Sequence, residues 1–151
     1  MAEKKPPDTV MRAWARLLRA HDTVFSAVEA ELKKAGFPPV AWYDVLLELS
    51  RDGGREMRPK DLERELLVAQ YTLSRLLDRL EAKGLIARKE HEEDARGQLI
   101  ALTAKGRALQ KQMWPAYLAA VQKHLAQKLD QQQIERLSEL LSLLCGNRAA
   151  R

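Results

Sequence analysis

The residues of this 151-residue chain whose types and spacing could do chemistry are arginines, with hydroxyl and acidic side chains set around them. In QYTLSRLLDR, residues 70–79, Leu73, Leu76 and Leu77 begin a stripe that Leu80 completes at the i, i+3, i+4, i+7 spacing of one helix face. At 100° per residue, Tyr71, Arg75 and Asp78 point nearly opposite, with Ser74 and Arg79 flanking. A guanidinium on such a face can donate two hydrogen bonds to guanine O6 and N7 in a major groove ~12 Å wide. Gln70, Tyr71, Thr72 and Ser74, near the amino end, would reach base edges or phosphate oxygens, helped by the free N–H groups of that terminus. Arg75 is the candidate for base readout and Arg79 for a phosphate contact. Taken alone, the same face is a solvated one whose Arg and Asp pair locally.

A second arginine site lies in EEDARGQLIALTAKG, residues 92–106. Arg96 is expected at the tip of a hairpin, where a guanidinium can enter a narrow minor groove and shed its hydration more easily than an ammonium. Asp94 can accept from it and hold it extended, and Gly97 would supply the turn's unusual backbone angles. Glu90, Glu92 and Glu93 oppose this by repelling phosphate. They are expected to face away from DNA or to pair with Arg88 and Lys89.

The elements that must position these residues follow from periodicity. A helix is expected over about 9–34, through Val10, Trp14, Leu17, Leu18, Val24, Phe25, Val28 and Leu32, with Gly36 and Pro38-Pro39 stopping it. A second covers 41–51, ended by Asp52-Gly53-Gly54. Pro59 opens a short helix over 60–67 that buries Leu62, Leu66 and Leu67. After a tight break comes the helix over 70–83, closed by Gly84, and the pair forms a helix-turn-helix. Segments 85–90 and 98–103 then alternate as two strands around a charged loop. Thr103 caps a long helix over 104–128 that contains Pro115, and Asp130 with Gln133 forms a capping box before a last helix.

Composition narrows the class. Apolar residues make up 46% and charged residues 31%, with a net charge of +5, which favours one mainly helical domain and permits a polyanionic partner. The single cysteine, Cys145, excludes an internal disulfide and fits a reducing compartment; it is expected as a small buried side chain in the last helix. The start, MAEKKPPDT, lacks a signal peptide's apolar core, and no run approaches the ~20 apolar residues that span a bilayer. A cytoplasmic protein is expected. His21, His91 and His124 have no ligand spacing, so neither a metal nor another cofactor is expected. No phosphate-binding glycine loop, nucleophile elbow or spaced carboxylate pair suggests an enzyme.

The stretch LSRLLDRLEAKGLIARKEHEEDARGQLIALTAKGR, residues 73–107, resembles the core of the MarR family of bacterial and archaeal transcriptional regulators, and GFPPVAWYDVLLEL, residues 36–49, is similar to the segment before that core. The D-x-R-G wing followed by an alternating strand and LTxKG carries the specificity. The resemblance implies a homodimer of winged-helix lobes, joined through the first and last helices and the end of the long fifth. Such dimers bind pseudopalindromic operators, usually as repressors, and many are released by phenolic or aromatic-acid ligands. Recognition would then fall to residues 70–79 and the wing contact to Asp94 and Arg96. Where relatives often carry Ser and Pro at the start of the recognition helix, this chain has Ala69 and Tyr71, which weakens the cap.

The expected fold is therefore mainly α (α+β): a winged helix-turn-helix lobe over about 37–103 with a two-stranded wing, flanked by dimerisation helices over about 9–35 and 104–146. Leu137, Leu140, Leu141 and Leu144 with Val10, Trp14 and Leu17 supply apolar surface that a dimer would bury. Trp14, His21, Phe25 and Trp42 are candidates for an effector pocket, against core packing as the alternative role of each. The expected function is sequence-specific binding of double-stranded DNA by a homodimeric transcriptional repressor, with a small aromatic effector. The alternative is a winged-helix module that binds protein instead of DNA.

Overall fold

The structure is a computed structural model that describes residues 4–67, 72–91 and 94–146, with the backbone alone at residues 91 and 94–96. Six α-helices and one antiparallel pair of strands occur among these residues: α1 Asp8–Lys34, α2 Val40–Ser50, α3 Pro59–Glu65, α4 Leu73–Ala82, β1 Ile86–His91, β2 Asp94–Leu102, α5 Ala104–His124 and α6 Gln131–Cys145. Among the described residues, no helix is long and apolar enough to cross a membrane. The chain divides into two units, Glu29–Tyr117 and the pair Met1–Val28 with Leu118–Arg151.

The unit Glu29–Tyr117 has one apolar core. Val45, Leu46 and Leu49 of α2 meet Leu62 of α3, Leu76, Leu77 and Leu80 of α4, Leu85 just before β1, and Ile86 and Ile100 of the strand pair. At roughly 1.5–3 kcal/mol for each fully buried Leu or Ile side chain, this cluster is what holds the helices and the sheet together. Polar groups then fix the connections. Pro39 at the start of α2 offers no side-chain cap, and the Val40 N–H donates instead to Glu29 Oε1 of α1 at 2.9 Å. The chain after α2 turns through Asp52, a non-glycine with φ of 54°, and returns under a buried carboxylate: Glu48 accepts from Arg51 Nε at 3.0 Å and from Arg55 Nη2 at 2.7 Å. That return brings Met57 alongside Ile100, where the two exchange both backbone hydrogen bonds and add a bridge to the edge of β2.

The strand pair departs from its expected limits. β2 begins at Asp94, so residues 94–97 belong to the strand and not to a loop, and His91 pairs with Asp94 across the hairpin. The register jumps between Glu90↔Gln98 and His91↔Asp94, which places a bulge in β2 around residues 95–97. Gly97 therefore lies in the strand and not in the turn. Backbone pairing extends the ladder regardless of side-chain charge, and the bulge absorbs the extra residues. Other limits shift as well. α3 stops at Glu65, and Leu67 is exposed where burial was expected. α5 ends at His124, followed by a 3₁₀ turn, Ala126–Lys128, with Pro115 inside the helix.

Thr103 caps α5 as its sequence suggests: its Oγ1 accepts from the Gly106 N–H at 3.0 Å and donates to the Gly84 carbonyl at 2.7 Å. Gly84, with φ of 70°, ends α4, so one hydroxyl joins the exit of α4 to the start of α5. Gly106 has no room for a side chain, because a Cβ there would overlap the Leu85 carbonyl oxygen.

The other unit holds the amino-terminal part of α1, the last turns of α5, and α6, which opens on the expected capping box between Asp130 and Gln133. Val10, Met11, Trp14, Leu17 and Leu18 are exposed on α1, as are Leu140, Leu143 and Leu144 on α6. Cys145 is exposed, contrary to expectation.

Two substitutions test these joints by chemical denaturation. Gly106→Ala should cost roughly 3 kcal/mol of stability, since the new methyl meets backbone and not a movable side chain. Glu48→Ala should cost about 1–3 kcal/mol, less than for a fully enclosed pair because both arginines can turn to water. A loss under about 0.5 kcal/mol in either would contradict the packing described.

Candidate nucleic-acid interface

Burying Leu76, Leu77 and Leu80 leaves α4 no choice about its other side. Ser74, Arg75, Asp78 and Arg79 are all exposed. Thr72 stands at the N-cap position with φ of −137°, yet its hydroxyl makes no capping bond, so the first N–H groups of α4 have no side-chain acceptor there. Gln70 and Tyr71 lie outside the described residues. So do the side chains of Asp94 and Arg96, whose backbone runs in β2.

The wing is braced against α4 by an ion pair between β1 and the helix. Arg88 of β1 reaches α4: its Nη2 donates to Asp78 Oδ1 at 2.6 Å, and its Nε lies 4.0 Å from Glu81 Oε2, while Glu92 and Glu93 lie outside the described residues. Lys89 likewise reaches back, to Glu56 Oε1 at 2.7 Å. The Arg88 side chain is 23% exposed and that of Asp78 65%, so the pair braces the wing as a contact still open to water on its carboxylate side. Asp78 is thus engaged by the sheet, and the guanidiniums of Arg75 and Arg79 are the cations on the outward face of α4.

Concavities border this face among the described residues. Pro39, Ala41, Trp42, Thr72, Arg75, Leu76 and Arg79 line a cavity of about 260 Å³. A second, of about 190 Å³, has Lys60, Glu63, Ser74, Leu77, Arg88 and Gln98 among its walls. Trp42 therefore stands beside the two α4 arginines, in a cavity built within its own unit. Trp14 and the His21–Phe25 pair, whose rings stack at 5.7 Å, are on α1 in the other unit. Among the described residues, no group of His, Cys, Asp and Glu could hold a metal ion.

Sequence reasoning passed over the interior of α2. Asp44 and Glu48 are its buried charges, and two carboxylates one turn apart inside an otherwise apolar helix were the signal that could have found them. Asp44 Oδ2 accepts from the Leu67 N–H at 2.7 Å, which ties the end of α3 to α2. Next to it, the Tyr43 ring packs on Tyr117 of α5 at 4.7 Å between centroids. Burial raises both phenol pKa values, and the Asp44 charge raises that of Tyr117 further. Gln110 lies near the Tyr43 hydroxyl and draws its value partly back, without closing a well-formed hydrogen bond.

Comparison with known proteins agrees with this geometry. The profile of the MarR family matches residues 35–97, which span α2, the helix-turn-helix and most of the wing. The HTH-type transcriptional repressor YetL of Bacillus subtilis is 29% identical over 79 residues, 52% of this chain and 47% of its own length. The chain thus covers about half the length of that curated relative. AbsC, a MarR family transcriptional regulator from Streptomyces coelicolor, superposes with a TM-score of 0.82 at 26% identity, over 94% of this chain and 95% of its own. The chain is similar to MarR family regulators in both its sequence over residues 35–97 and its fold. Sco3205, a MarR family transcriptional regulator from Streptomyces coelicolor whose structure is in complex with DNA, shares the fold at a TM-score of 0.85 and 22% identity, over 95% of this chain and 90% of its own. The fold shared with these regulators is a winged helix-turn-helix: α3 and α4 are the two helices, and β1 and β2 the wing.

The phenols provide a pH test of the packing beneath the site. Their raised values mean that folding favours the protonated form, so the stability they contribute is whole below pH 10.0 and is lost as pH rises through the raised values. A phenolate absorbance titration should show Tyr43 and Tyr117 ionising above pH 10.0 together with loss of helical signal. Ionisation of both at the ordinary value, with the helices intact, would contradict the burial.

Proposed function

We propose that this chain is a MarR-family, sequence-specific DNA-binding transcriptional regulator that acts as a homodimeric repressor on a pseudopalindromic operator. The observation that carries the reading is the outward face of α4, where Ser74, Arg75 and Arg79 stand clear of the core beside a braced two-stranded wing. In the major groove, Arg75 reads a base edge and Arg79 meets a phosphate, while Gln70, Tyr71, Thr72 and Ser74 contact bases or backbone near the start of α4. Arg96, oriented by Asp94, enters the minor groove from the wing. The exposed apolar side chains of α1 and α6 support a dimer, since a second copy would remove them from water. Two α4 helices would then lie about one DNA turn, ~34 Å, apart.

Trp42 also supports release by a small effector. An aromatic carboxylate resting on its indole would meet Arg75 and Arg79 across the same cavity and take both guanidiniums from DNA. Trp14, His21 and Phe25 are proposed as effector contacts on α1.

Electrophoretic mobility shifts against the DNA upstream of the gene test the assignment. Arg75→Ala should weaken operator binding by about 1–3 kcal/mol and relax the base preference, whereas Arg79→Ala should weaken all duplexes alike. Affinity should fall steeply with salt as counterions are released, and a salt-independent interaction with protein alone would favour the alternative module. Release of the duplex by benzoate that persists unchanged in Trp42→Leu would remove the effector role given to Trp42.

A further inference from the structure

Asp44 makes a contact that its own helix does not need. Its carboxylate is buried, and Oδ2 accepts from the Leu67 N–H, 23 residues further along the chain. Leu66 has left the helical region, with φ of −67° and ψ of 137°, so α3 no longer offers Leu67 a helical acceptor. The Leu67 side chain is 68% exposed, so it is the backbone at this point that is held. A buried carboxylate without such donors would be costly, and a charge-assisted bond to an N–H is about twice as strong as a neutral one. The Asp44 charge also raises the pKa of Tyr117 of α5, and Tyr117 packs on Tyr43 of α2.

We propose that Asp44 is a positioning residue for DNA recognition: by holding the Leu67 N–H against α2, it fixes where the amino end of α4 is presented to the duplex. The inference rests on the DNA-binding reading. α4 has three buried leucines along its length and is tied at its carboxyl end through Gly84 and Thr103. Its amino end carries no side-chain cap at Thr72, which follows Leu67 by five positions in the sequence. Base-edge hydrogen bonds fail with small displacements, whereas attraction between arginines and phosphates acts over about 10 Å and survives them. Loss of the Asp44 contact therefore removes discrimination before it removes affinity.

Asp44→Ala and Asp44→Asn in the full-length protein test this with two readouts: native-state amide hydrogen exchange at Leu67, and affinity for two duplexes of equal length, the DNA upstream of the gene and a scrambled version. Asp44→Ala should speed Leu67 exchange by about tenfold or more, as for one lost hydrogen bond to a charged group. It should lower the upstream-to-scrambled affinity ratio by about tenfold, while affinity for the scrambled duplex stays within about twofold. Asp44→Asn, whose carbonyl still accepts, should recover most of both. A Leu67 amide as protected as in the wild type, or an equal loss on both duplexes, overturns the proposal. Should Asp44→Ala not fold, Asp44→Asn decides: exchange should still rise by about twofold or more, because its acceptor is neutral, and no change overturns the proposal. If the wild type itself does not distinguish the duplexes, the DNA-binding reading fails, and Leu67 exchange still shows whether Asp44 holds the turn.

Discussion

The winged unit depends on the burial of three leucines from a ten-residue helix. α4 is too short to be stable alone, and Leu76, Leu77 and Leu80 can leave water only by packing on α2, α3 and the strand pair. That demand fixes the rotation of the helix about its axis and turns Ser74, Arg75, Asp78 and Arg79 outward. The chemistry of the face follows from the apolar side: no contact to a ligand is needed to set which side chains are free.

Rotation alone does not fix where the helix ends lie, and polar contacts do that. Gly84 and Thr103 hold the carboxyl end against α5, with Gly106 allowing the close approach of Leu85. Arg88 clamps Asp78 from the wing. At the other end, Asp44 reaches the Leu67 N–H, and one turn later on α2 Glu48 holds the arginines of the loop that carries Met57 to the edge of β2. α2 thus serves as the frame from which both the helix-turn-helix and the base of the wing are hung. Its buried carboxylates cost desolvation, and their value lies in the geometry they enforce.

Signals that act within a few residues are legible in the amino-acid sequence itself. The leucine spacing of α4, Pro59 opening α3, Thr103 capping α5 and the Asp130–Gln133 box are all local, and each is found where its spacing places it. What is not legible is set by distant partners. Arg88 and Lys89 sit among glutamates in the sequence but find Asp78 and Glu56 in space. The charged stretch 94–97 has the composition of a loop, but its backbone is paired with β1 up to a bulge. Cys145 and Leu67 are apolar and yet exposed, since nothing in their spacing says which side of the chain they occupy. Of the proposed DNA contacts, Ser74, Arg75 and Arg79 follow directly from the helical wheel, because exposure there is the complement of the leucine stripe.

The central claim is that the outward face of α4, doubled in a dimer, reads base edges in successive major grooves. Guanine-N7 methylation interference on the DNA upstream of the gene measures this most directly, because the modification blocks the groove edge that a guanidinium contacts and leaves the phosphates untouched. Methylation at symmetry-related guanines about one helical turn apart should abolish binding by the wild type, and Arg75→Ala should lose that sensitivity. Binding indifferent to methylation at every guanine would contradict the account.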